Sequence, residues 1–344
     1  MSKAPNIVKT YNSIELFAGA GGLALGLEKA GISHLLLNEM DKHASATLVK
    51  NRPLWNVACA DIKNIDFTPY KGVDLVTGGF PCQAFSYAGK KRGLEDTRGT
   101  LFYEFARALK ESDAKVFLAE NVKGLLSHDN GETIKTIVAA FEELGYHVYE
   151  PKLLKAIYHD VPQKRERIFI LGVKKEYAEN AKLVWPTPKE RVHNLKDALK
   201  KGALYDCDVP KSDGQRYPEK KKKVLALVPP GGYWRDLPLE LQKEYMQKSF
   251  YLGGGKTGIA RRISWDEPCL TLTCSPAQKQ TERCHPEETR PFEVREYARI
   301  QTFPDEWIFE GSVNQQYKQI GNAVPVNLAH EVGKTLVNLL DSLS

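Results

Sequence analysis

The sequence has few cysteines and no long apolar run. Six cysteines are spread over 344 residues, which does not suit the disulfide framework of a small secreted protein. No stretch approaches the ~20 consecutive apolar residues that a membrane helix needs, and the N-terminal residues lack the apolar core of a signal peptide. We therefore expect a cytoplasmic protein without membrane contact, in which each cysteine is a buried thiol, a metal ligand or a nucleophile.

The excess of positive charge is also small. Lysine and arginine number 49 and aspartate and glutamate number 43, which gives a net charge of +6. This balance is compatible with a nucleic-acid partner but does not by itself indicate one. With 42% hydrophobic and 27% charged residues, the chain is expected to be globular, and its length allows two domains or one large one.

Short apolar runs alternate with helical patterns over the first half of the chain. We predict strands in "SIELFAG", "HLLLNEM", "VDLVTGG", "KVFLAEN" and "RIFILGV", and helices in "LALGLEKAG", "LFYEFARALK" and "TIKTIVAAFEELG". This alternation predicts an α/β fold with a parallel sheet covered by helices on both faces. The pattern becomes irregular after "WPTPKERVHNL", where "CLTLT" is the one clear strand and four consecutive lysines are interpreted as a solvated face, and a long closing helix follows.

A glycine turn between the first strand and the first helix indicates a ligand site. Gly19, Gly21 and Gly22 allow a tight turn and close approach of a ligand, but they lack the G-x-G-x-x-G spacing of a pyrophosphate site. Glu39 follows the second strand and suits a ribose diol, and Asp61 follows a possible third strand and could reach an adenine amino group. S-adenosylmethionine fits such a site, since it has an adenosine and no phosphate. The alternative is a generic turn beside two surface acids.

Reactive side chains follow several of the predicted strands. Cys82 comes after "DLVTGGFP", and Glu120 and Asn121 end "VFLAEN". Arg165 and Arg167 precede the last strand at positions i and i+2, which project to the same side of an extended segment. A thiolate is a nucleophile that positive neighbours stabilise. Together these residues predict a covalent reaction beside a nucleoside site.

These motifs resemble those of DNA (cytosine-5)-methyltransferases of bacterial type II restriction–modification systems. The resemblance runs in order over nearly the whole chain, through "ELFAGAGGLALGLEKAG", "GGFPCQAFS", "AENV", "QKRERIFILG", "REYARIQTFPDEW" and "QIGNAVPV". It implies a Rossmann-like, S-adenosylmethionine-dependent fold with a mixed sheet, helices on both faces and a smaller, irregular, β-rich target-recognition domain. Residues 1–188 and 312–344 would form the catalytic, cofactor-binding domain, and 189–311 the target-recognition domain with its hinge.

The resemblance also implies a mechanism. Cys82 would attack C6 of a cytosine rotated out of the duplex, Glu120 would hydrogen-bond N3, and C5 would take the methyl group of S-adenosyl-L-methionine. Arg165 would hold the base or its phosphate, with Arg167 supporting the loop. Asn121 is placed to support Cys82 and Glu120.

Further site residues are carried over by position. The implied cofactor residues are Phe17, Ala18, Gly19, Gly21, Gly22, Leu23, Glu39, Met40, Asp61, Ile62, Pro81, Leu101, Asn322 and Val324. Many relatives have an aromatic residue where this chain has Met40, which puts cofactor affinity in doubt rather than activity. The candidate DNA contacts are Ser86, Lys90, Lys91, Arg92 and Arg98 in a loop that would close over the base, and Lys256, Arg261, Arg262, Thr271 (or Thr273), Gln278, Lys279, Gln280 and Arg283 further along.

The expected substrate is double-stranded DNA, and the cognate restriction endonuclease would be a genetic rather than a physical partner of a nucleoid-associated monomer. Other functions stay open at this point: a tRNA cytosine-5 methyltransferase, a catalytically silent DNA-binding regulator and, more remotely, a dehydrogenase. A zinc site at Cys269, Cys274, Cys284 and His285 lacks the paired C-x2-C spacing of structural sites. We therefore expect no metal.

Overall fold

The computed structural model describes residues 10–81, 100–254 and 256–343. The chain divides into two compact units. Unit 1 comprises residues 1–154, 166–187 and 329–344, and unit 2 comprises residues 155–165 and 188–328. The predicted target-recognition segment, 189–311, falls within unit 2, which also takes in 155–165 and 312–328.

Unit 1 is built on one mixed sheet. Its strands are β1 (Tyr11–Leu16), β2 (Ile32–Asn38), β3 (Val57–Ala58), β4 (Leu75–Gly78), β5 (Val116–Val122), β6 (Tyr146–Val148), β7 (Lys152–Lys155) and, after the short β8 (Gln163–Lys164) of unit 2, β9 (Glu166–Lys174). The strand order is β3-β2-β1-β4-β5-β9-β6, with β7 beside β9. The first five strands in this order are parallel, whereas β9 is antiparallel to β5 and to β6. The predicted mixed α/β sheet is confirmed.

The helices of unit 1 connect and cover these strands. They are α1 (Gly22–Lys29), α2 (Lys42–Asn51), α3 (Leu101–Ser112) and α4 (Glu132–Glu143), together with α10 (Val326–Ser342), which ends the chain. Apolar residues of the strands and of α3 and α4 form one buried core. Helix α10 lies so close to α1 that a Cβ on Gly26 would be 2.3 Å from the Cβ of Ala329.

The parallel strands place the candidate site residues at one edge of the sheet. Because β1, β2, β4 and β5 run in the same direction, the loops that follow them lie along their common C-terminal edge. Phe17 follows β1, Glu39 follows β2, and Gly79 follows β4. Antiparallel β9 begins at the same edge, since Arg167 pairs with Val122 at the end of β5.

Unit 2 is irregular, and its described residues are not β-rich as expected. Its helices are α5 (Leu195–Leu199), α6 (Glu219–Leu225), α7 (Leu239–Met246), α8 (Val294–Ile300) and α9 (Val313–Asn322), and its one named strand pair is β8 with β10 (Cys269–Leu270). Buried side chains such as Trp234, Leu237 and Met246 form a separate core. Many backbone carbonyls are bonded by buried side chains instead of by neighbouring strands, so this segment folds without an extended sheet.

Candidate active site

The glycine turn after β1 leaves open space for a ligand. Phe17, Gly19 and Gly21 have positive φ values of 56°, 55° and 84°, a conformation that favours glycine at the last two positions. A Cβ built on Gly19 would meet no atom within 4 Å. Ala18 and Leu23 are buried on either side of the turn. The turn therefore presents bare backbone to any group that binds above it.

Glu39 holds this turn. Its Oε2 accepts a 2.8 Å hydrogen bond from the Gly19 N–H, and its Oε1 accepts one of 2.7 Å from the Asp41 N–H. The Glu39 carbonyl oxygen also accepts a bond from the Ser45 hydroxyl. Each carboxylate oxygen has a further lone pair that can accept a bond. The carboxylate is thus fixed between the loops after β1 and β2, where it suits a ribose diol.

Asp61 and Ile62 lie on a rigid turn. The Asp61 side chain accepts a bond from the Lys63 N–H at the start of a short 3₁₀ helix, and Ile62 is buried. Arg107 of α3 donates to the carbonyl oxygens of Ile62 (2.8 Å) and Ile65 (2.9 Å). The side chain of Met40, another cofactor candidate, is 69% exposed, whereas Ile62 is buried. The sequence interpretation missed Arg107, although the ion-pair spacing of Glu104, Arg107 and Glu111 was visible.

A second residue that sequence reasoning missed lies on β1. Glu15 is buried, and the Thr77 hydroxyl of neighbouring β4 is 3.5 Å from its Oε2. Burial raises the pKa of this carboxyl to about 8, against an opposing hydrogen bond from the Ala24 backbone. An acidic residue within an apolar strand was the available signal.

Glu120 and Arg167 form a largely buried ion pair. Arg167 Nε lies 2.7 Å from Glu120 Oε1, and the two side chains are 11% and 12% exposed. Glu120 faces Phe169 across the β5–β9 pair, so Arg167, two residues away, is its diagonal neighbour on the same face. A Cβ on Gly79 would lie 2.6 Å from Glu120 Oε2. The carboxylate is therefore held between a guanidinium and a bare backbone segment.

Asn121 anchors the segment that follows β4. Its Nδ2 donates a 2.8 Å bond to the Phe80 carbonyl oxygen, and Asn121 is buried. The Phe80 and Phe102 rings pack at 5.3 Å, so the chain before exposed Pro81 and the chain after Leu101 meet in the core. The predicted nucleophile and loop residues, namely Cys82, Ser86, Lys90, Lys91, Arg92 and Arg98, lie outside the described residues.

Arg165 and Arg167 bind different partners. The sequence places them two residues apart, on the same side of an extended segment, and this position did not indicate the difference. Arg165 is buried in unit 2, where it donates to the carbonyl oxygens of Leu272 (3.1 Å) and Gly321 (2.8 Å). The Thr271 hydroxyl donates to the Lys164 carbonyl oxygen, and the Thr273 hydroxyl lies 3.1 Å from that of Thr281. Arg165 therefore braces the candidate threonine segment of unit 2.

The two remaining cofactor candidates also belong to unit 2. Val324 is buried, and Asn322 is exposed. The Cys274 thiol lies 3.2 Å from Asn322 Oδ1.

Several of the candidate DNA-binding side chains already bond to other groups within unit 2. Arg262 is buried and donates to backbone carbonyls that include those of Leu225 and Val228. Arg283 is buried and bonds the carbonyls of Thr271 and Glu282, while Arg261 pairs with Glu267. Lys256 bonds two nearby carbonyls. The exposed candidates are Gln278, Lys279 and Gln280.

The four candidate zinc residues do not have the properties of a metal site. Burial raises the pKa of the Cys269 thiol to about 12 and that of Cys284 to about 11. Within residues 10–81, 100–254 and 256–343, histidine, cysteine and acidic side chains do not gather in any group of three or more that could hold a metal ion.

In the same part of the chain, none of the helices is both long and apolar enough to cross a membrane.

The fold and the site define an α/β enzyme that binds a nucleoside cofactor in the manner of S-adenosylmethionine-dependent methyltransferases. A putative DNA modification methyltransferase from an Escherichia coli prophage matches with a TM-score of 0.66 and 25% identity, covering 96% of this chain and all of that one. DNMT2 of Spodoptera frugiperda has the same fold, with a TM-score of 0.64 and 17% identity over 95% of this chain and 100% of that chain.

Sequence comparison specifies the family. The model of C-5 cytosine-specific DNA methylases matches residues 11–338. The type II methyltransferase M.Eco47II of Escherichia coli is 66% identical over 335 residues, 97% of this chain and 80% of that protein. M.Sau96I of Staphylococcus aureus is 54% identical over 340 residues, 98% of this chain and 78% of that protein. The chain belongs to the C-5 cytosine-specific DNA methylase family, and it is a DNA cytosine-5 methyltransferase that uses S-adenosyl-L-methionine. The tRNA alternative is not favoured.

Proposed function

We propose that strands β5 and β9 hold part of the catalytic site in position. This part consists of the ion pair of Glu120 and Arg167 and of the Asn121 bond to Phe80. The Glu120 contact of 2.7 Å and the Asn121 contact of 2.8 Å lie on adjacent residues of β5. Phe80 precedes Cys82 by two residues. This pair of contacts is the observation that supports the assignment, because it connects the proposed acid to the chain leading into the proposed nucleophile.

Cys82 acts as the nucleophile. Its thiolate forms a bond to C6 of the cytosine, and the electron pair of the C5–C6 double bond moves into the ring toward N3. Glu120 stabilises that charge by a hydrogen bond at N3. S-adenosyl-L-methionine, when bound, supplies a methyl group as an electrophile for C5. Solvent water takes the C5 proton, the electron pair of that C–H bond restores the C5–C6 double bond, and the C6–S bond breaks to release the Cys82 thiolate and 5-methylcytosine.

The two arginines exchange the roles that the sequence suggested. Arg167 contacts Glu120, so we assign it to positioning the carboxyl group and to the base beside it. Arg165 contacts the carbonyl oxygens of Leu272 and Gly321, which supports a role in holding the Thr271–Thr273 segment. A guanidinium is suited to both tasks, because its planar donors can bind a carboxylate or several carbonyls at once.

In this proposal the residues around the glycine turn would hold the cofactor. Glu39 would bind the ribose hydroxyls, Asp61 and Ile62 would contact the purine, and Phe17 would pack against it. The open space at Gly19 and the fixed Glu39 carboxylate support this assignment. Further contacts are assigned to residues that the sequence identified: Ala18, Gly21, Gly22, Leu23, Met40, Pro81, Leu101, Asn322 and Val324.

Residues 189–311 select the DNA sequence, and 1–188 with 312–344 perform the chemistry. Exposed Gln278 and Gln280 are the base-reading candidates that the contacts within unit 2 leave available, whereas Lys279 donates to the Tyr245 carbonyl oxygen. Thr271 and the loop residues Ser86, Lys90, Lys91, Arg92 and Arg98 contact phosphates. Because Arg261, Arg262 and Arg283 are engaged within unit 2, we do not assign bases to them.

The biological role is protection of host DNA from a cognate restriction endonuclease. The relatives at 54% and 66% identity are named type II methyltransferases, which supports this role. A monomer suffices, because the two strands of a site can be methylated in successive events. DNA from expressing cells should resist one type II endonuclease in a panel, and light scattering should give the mass of a single chain.

Transfer of a labelled methyl group to unmethylated genomic DNA tests the catalytic assignment. We expect Cys82→Ser to lose transfer and to keep cofactor binding, and Glu120→Gln to lower kcat by about 10²-fold or more, as loss of an acid–base group does. Full transfer by Cys82→Ser would overturn the mechanism.

A further inference from the structure

The net positive charge of the chain is confined to unit 2. Unit 2 contains 26 lysines and arginines and 20 aspartates and glutamates, whereas unit 1 contains 23 of each. The full charge of +6 therefore belongs to unit 2. Much of it is concentrated in helix α6, whose sequence is EKKKKVL.

Helix α6 has one buried face and one lysine face. Leu225 is buried and Val224 is partly buried against the core of unit 2. Lys220, Lys222 and Lys223 point away and are exposed. Lys220 lies 3.2 Å from Glu244, and both side chains are highly exposed. Lys222 and Lys223 form no ion pair with any residue that the structure describes. We call Lys220, Lys222 and Lys223 the lysine face.

This arrangement opposes helix formation. Like charges that are neighbours on a helix face, such as those of Lys220 and Lys223, destabilise an isolated helix. Lys220 also lies in the first turn, where the partial positive charge of the helix N-terminus disfavours it, although Lys222 and Lys223 lie in the last turn, where the dipole favours a cation. An ordinary solvated face would mix charges of both signs, as α4 does with Glu132 and Lys135. The lysine face therefore has a cost that an anionic ligand would offset.

Contacts of Lys221 and Arg262 fix α6 in place despite this cost. Lys221 Nζ lies 2.6 Å from Glu282 Oε1 and 2.6 Å from the Ala277 carbonyl oxygen. Arg262 donates to the Leu225 carbonyl oxygen at the end of the helix. The lysine face thus has a set position relative to residues 277–283.

A further cation lies next to the lysine face. Lys220, Lys221 and Lys279 line one cavity of about 310 Å³, whose apolar wall includes Leu241 and Tyr245. Lys279 is held there, since its Nζ lies 2.6 Å from the Tyr245 carbonyl oxygen and 5.0 Å from the ring centroid. Lys279 belongs to the exposed Gln278–Gln280 segment. The lysine face therefore adjoins the segment that we assign to base reading.

We propose that the lysine face and Lys279 form a surface that binds phosphates of the DNA duplex. This proposal rests on the proposed function of unit 2 in DNA recognition. Phosphate binding by lysines releases counterions, so the affinity for DNA depends on salt with a slope of about −0.9 for each phosphate contacted. The surface adds affinity and holds the Gln278–Gln280 segment against the duplex, where Gln278 and Gln280 read bases and Lys279 binds a phosphate.

The test compares two triple variants with the same change in charge. Lys220→Gln/Lys222→Gln/Lys223→Gln removes the lysine face, and Lys196→Gln/Lys200→Gln/Lys201→Gln removes three exposed lysines around α5 of the same unit. The affinity for a 30-base-pair duplex containing the methylated sequence is measured between about 50 and 200 mM salt, the range over which phosphate contacts have a strong effect. We expect the slope of the first variant to be shallower by about 2 to 3 and that of the control to be unchanged.

Three further readouts decide the interpretation. Lysine-to-arginine changes at the same three positions should keep the wild-type slope, and the glutamine variant should keep the wild-type kcat at saturating DNA and its thermal stability. A wild-type slope in the lysine-face variant would overturn the proposal. An equal loss in the control would also overturn it, because net charge would then be responsible. Failure of the proposed function itself is distinct, since the wild-type protein would then bind and methylate no DNA.

Discussion

Gly79 offers a direct test of how Glu120 is positioned. The Cβ of an alanine at this position would lie 2.6 Å from Glu120 Oε2, and ordinary contact begins near 3.4 Å. The carboxylate must therefore retreat by about 0.8 Å, and a misplacement of about 1 Å can cost 10²-fold in rate. We expect Gly79→Ala to lower kcat for methyl transfer by about 10- to 100-fold. Because Arg167 fixes the displaced carboxylate in a largely buried ion pair, the free energy of unfolding should also fall, by about 1–3 kcal/mol.

Steady-state methyl transfer and thermal unfolding measure the two effects separately. The matched control is Gly124→Ala, since a Cβ there has its nearest neighbour, Val122 Cγ2, at 4.0 Å. The control should keep the wild-type kcat, and the KM for S-adenosyl-L-methionine should change little in either variant. A folded Gly79→Ala protein with the wild-type kcat would refute the reasoning, because the carboxylate position would then not limit the reaction.

Two other residues give independent predictions. Arg107→Met removes the bonds to the Ile62 and Ile65 carbonyl oxygens. The KM for S-adenosyl-L-methionine should therefore rise by about tenfold, which corresponds to ~1.4 kcal/mol, while kcat stays unchanged. An unchanged KM in steady-state assays would show that this turn does not bind the cofactor. The Glu15 carboxyl has its pKa raised by burial from 4.5 to about 8, so the native state binds a proton more tightly than the unfolded state. The free energy of unfolding is then highest below about pH 4.5. It falls by ~1.4 kcal/mol for each pH unit between there and about pH 8. Glu15→Gln should remove this fall in urea titrations at several pH values, and parallel profiles of the two proteins would contradict it.

The sheet was predictable because its strands are local apolar runs. The five predicted strands correspond to β1, β2, β4, β5 and β9. The direction of β9 was not predictable, because an apolar run does not reveal whether its neighbour is parallel. The short β6 and β7 lack a distinctive pattern. In unit 2 the expected β-rich structure was wrong for the described residues, where buried arginines bond the backbone carbonyls.

The position of a candidate residue was predictable where it follows or ends a strand, and its contacts were less predictable where the partner is distant in sequence. Glu39 follows β2 and Glu120 lies near the C-terminal end of β5, and their position at one edge of the sheet was inferred from that alone. Arg165 and Arg167 look equivalent in the sequence, yet one contacts Leu272 and Gly321 and the other Glu120. The contacts of Arg165 depend on how segments more than a hundred residues apart come together in unit 2, and the Glu120 contact depends on the antiparallel pairing of β9 with β5 in unit 1. No local pattern encodes either.

The most direct measurement is bisulfite sequencing of genomic DNA from a host that lacks cytosine methylation and expresses this protein. The account predicts protected cytosines at a fixed position within one short sequence, and their absence when Cys82→Ser is expressed at the same level. A well-expressed protein that protects no cytosine would contradict the central claim.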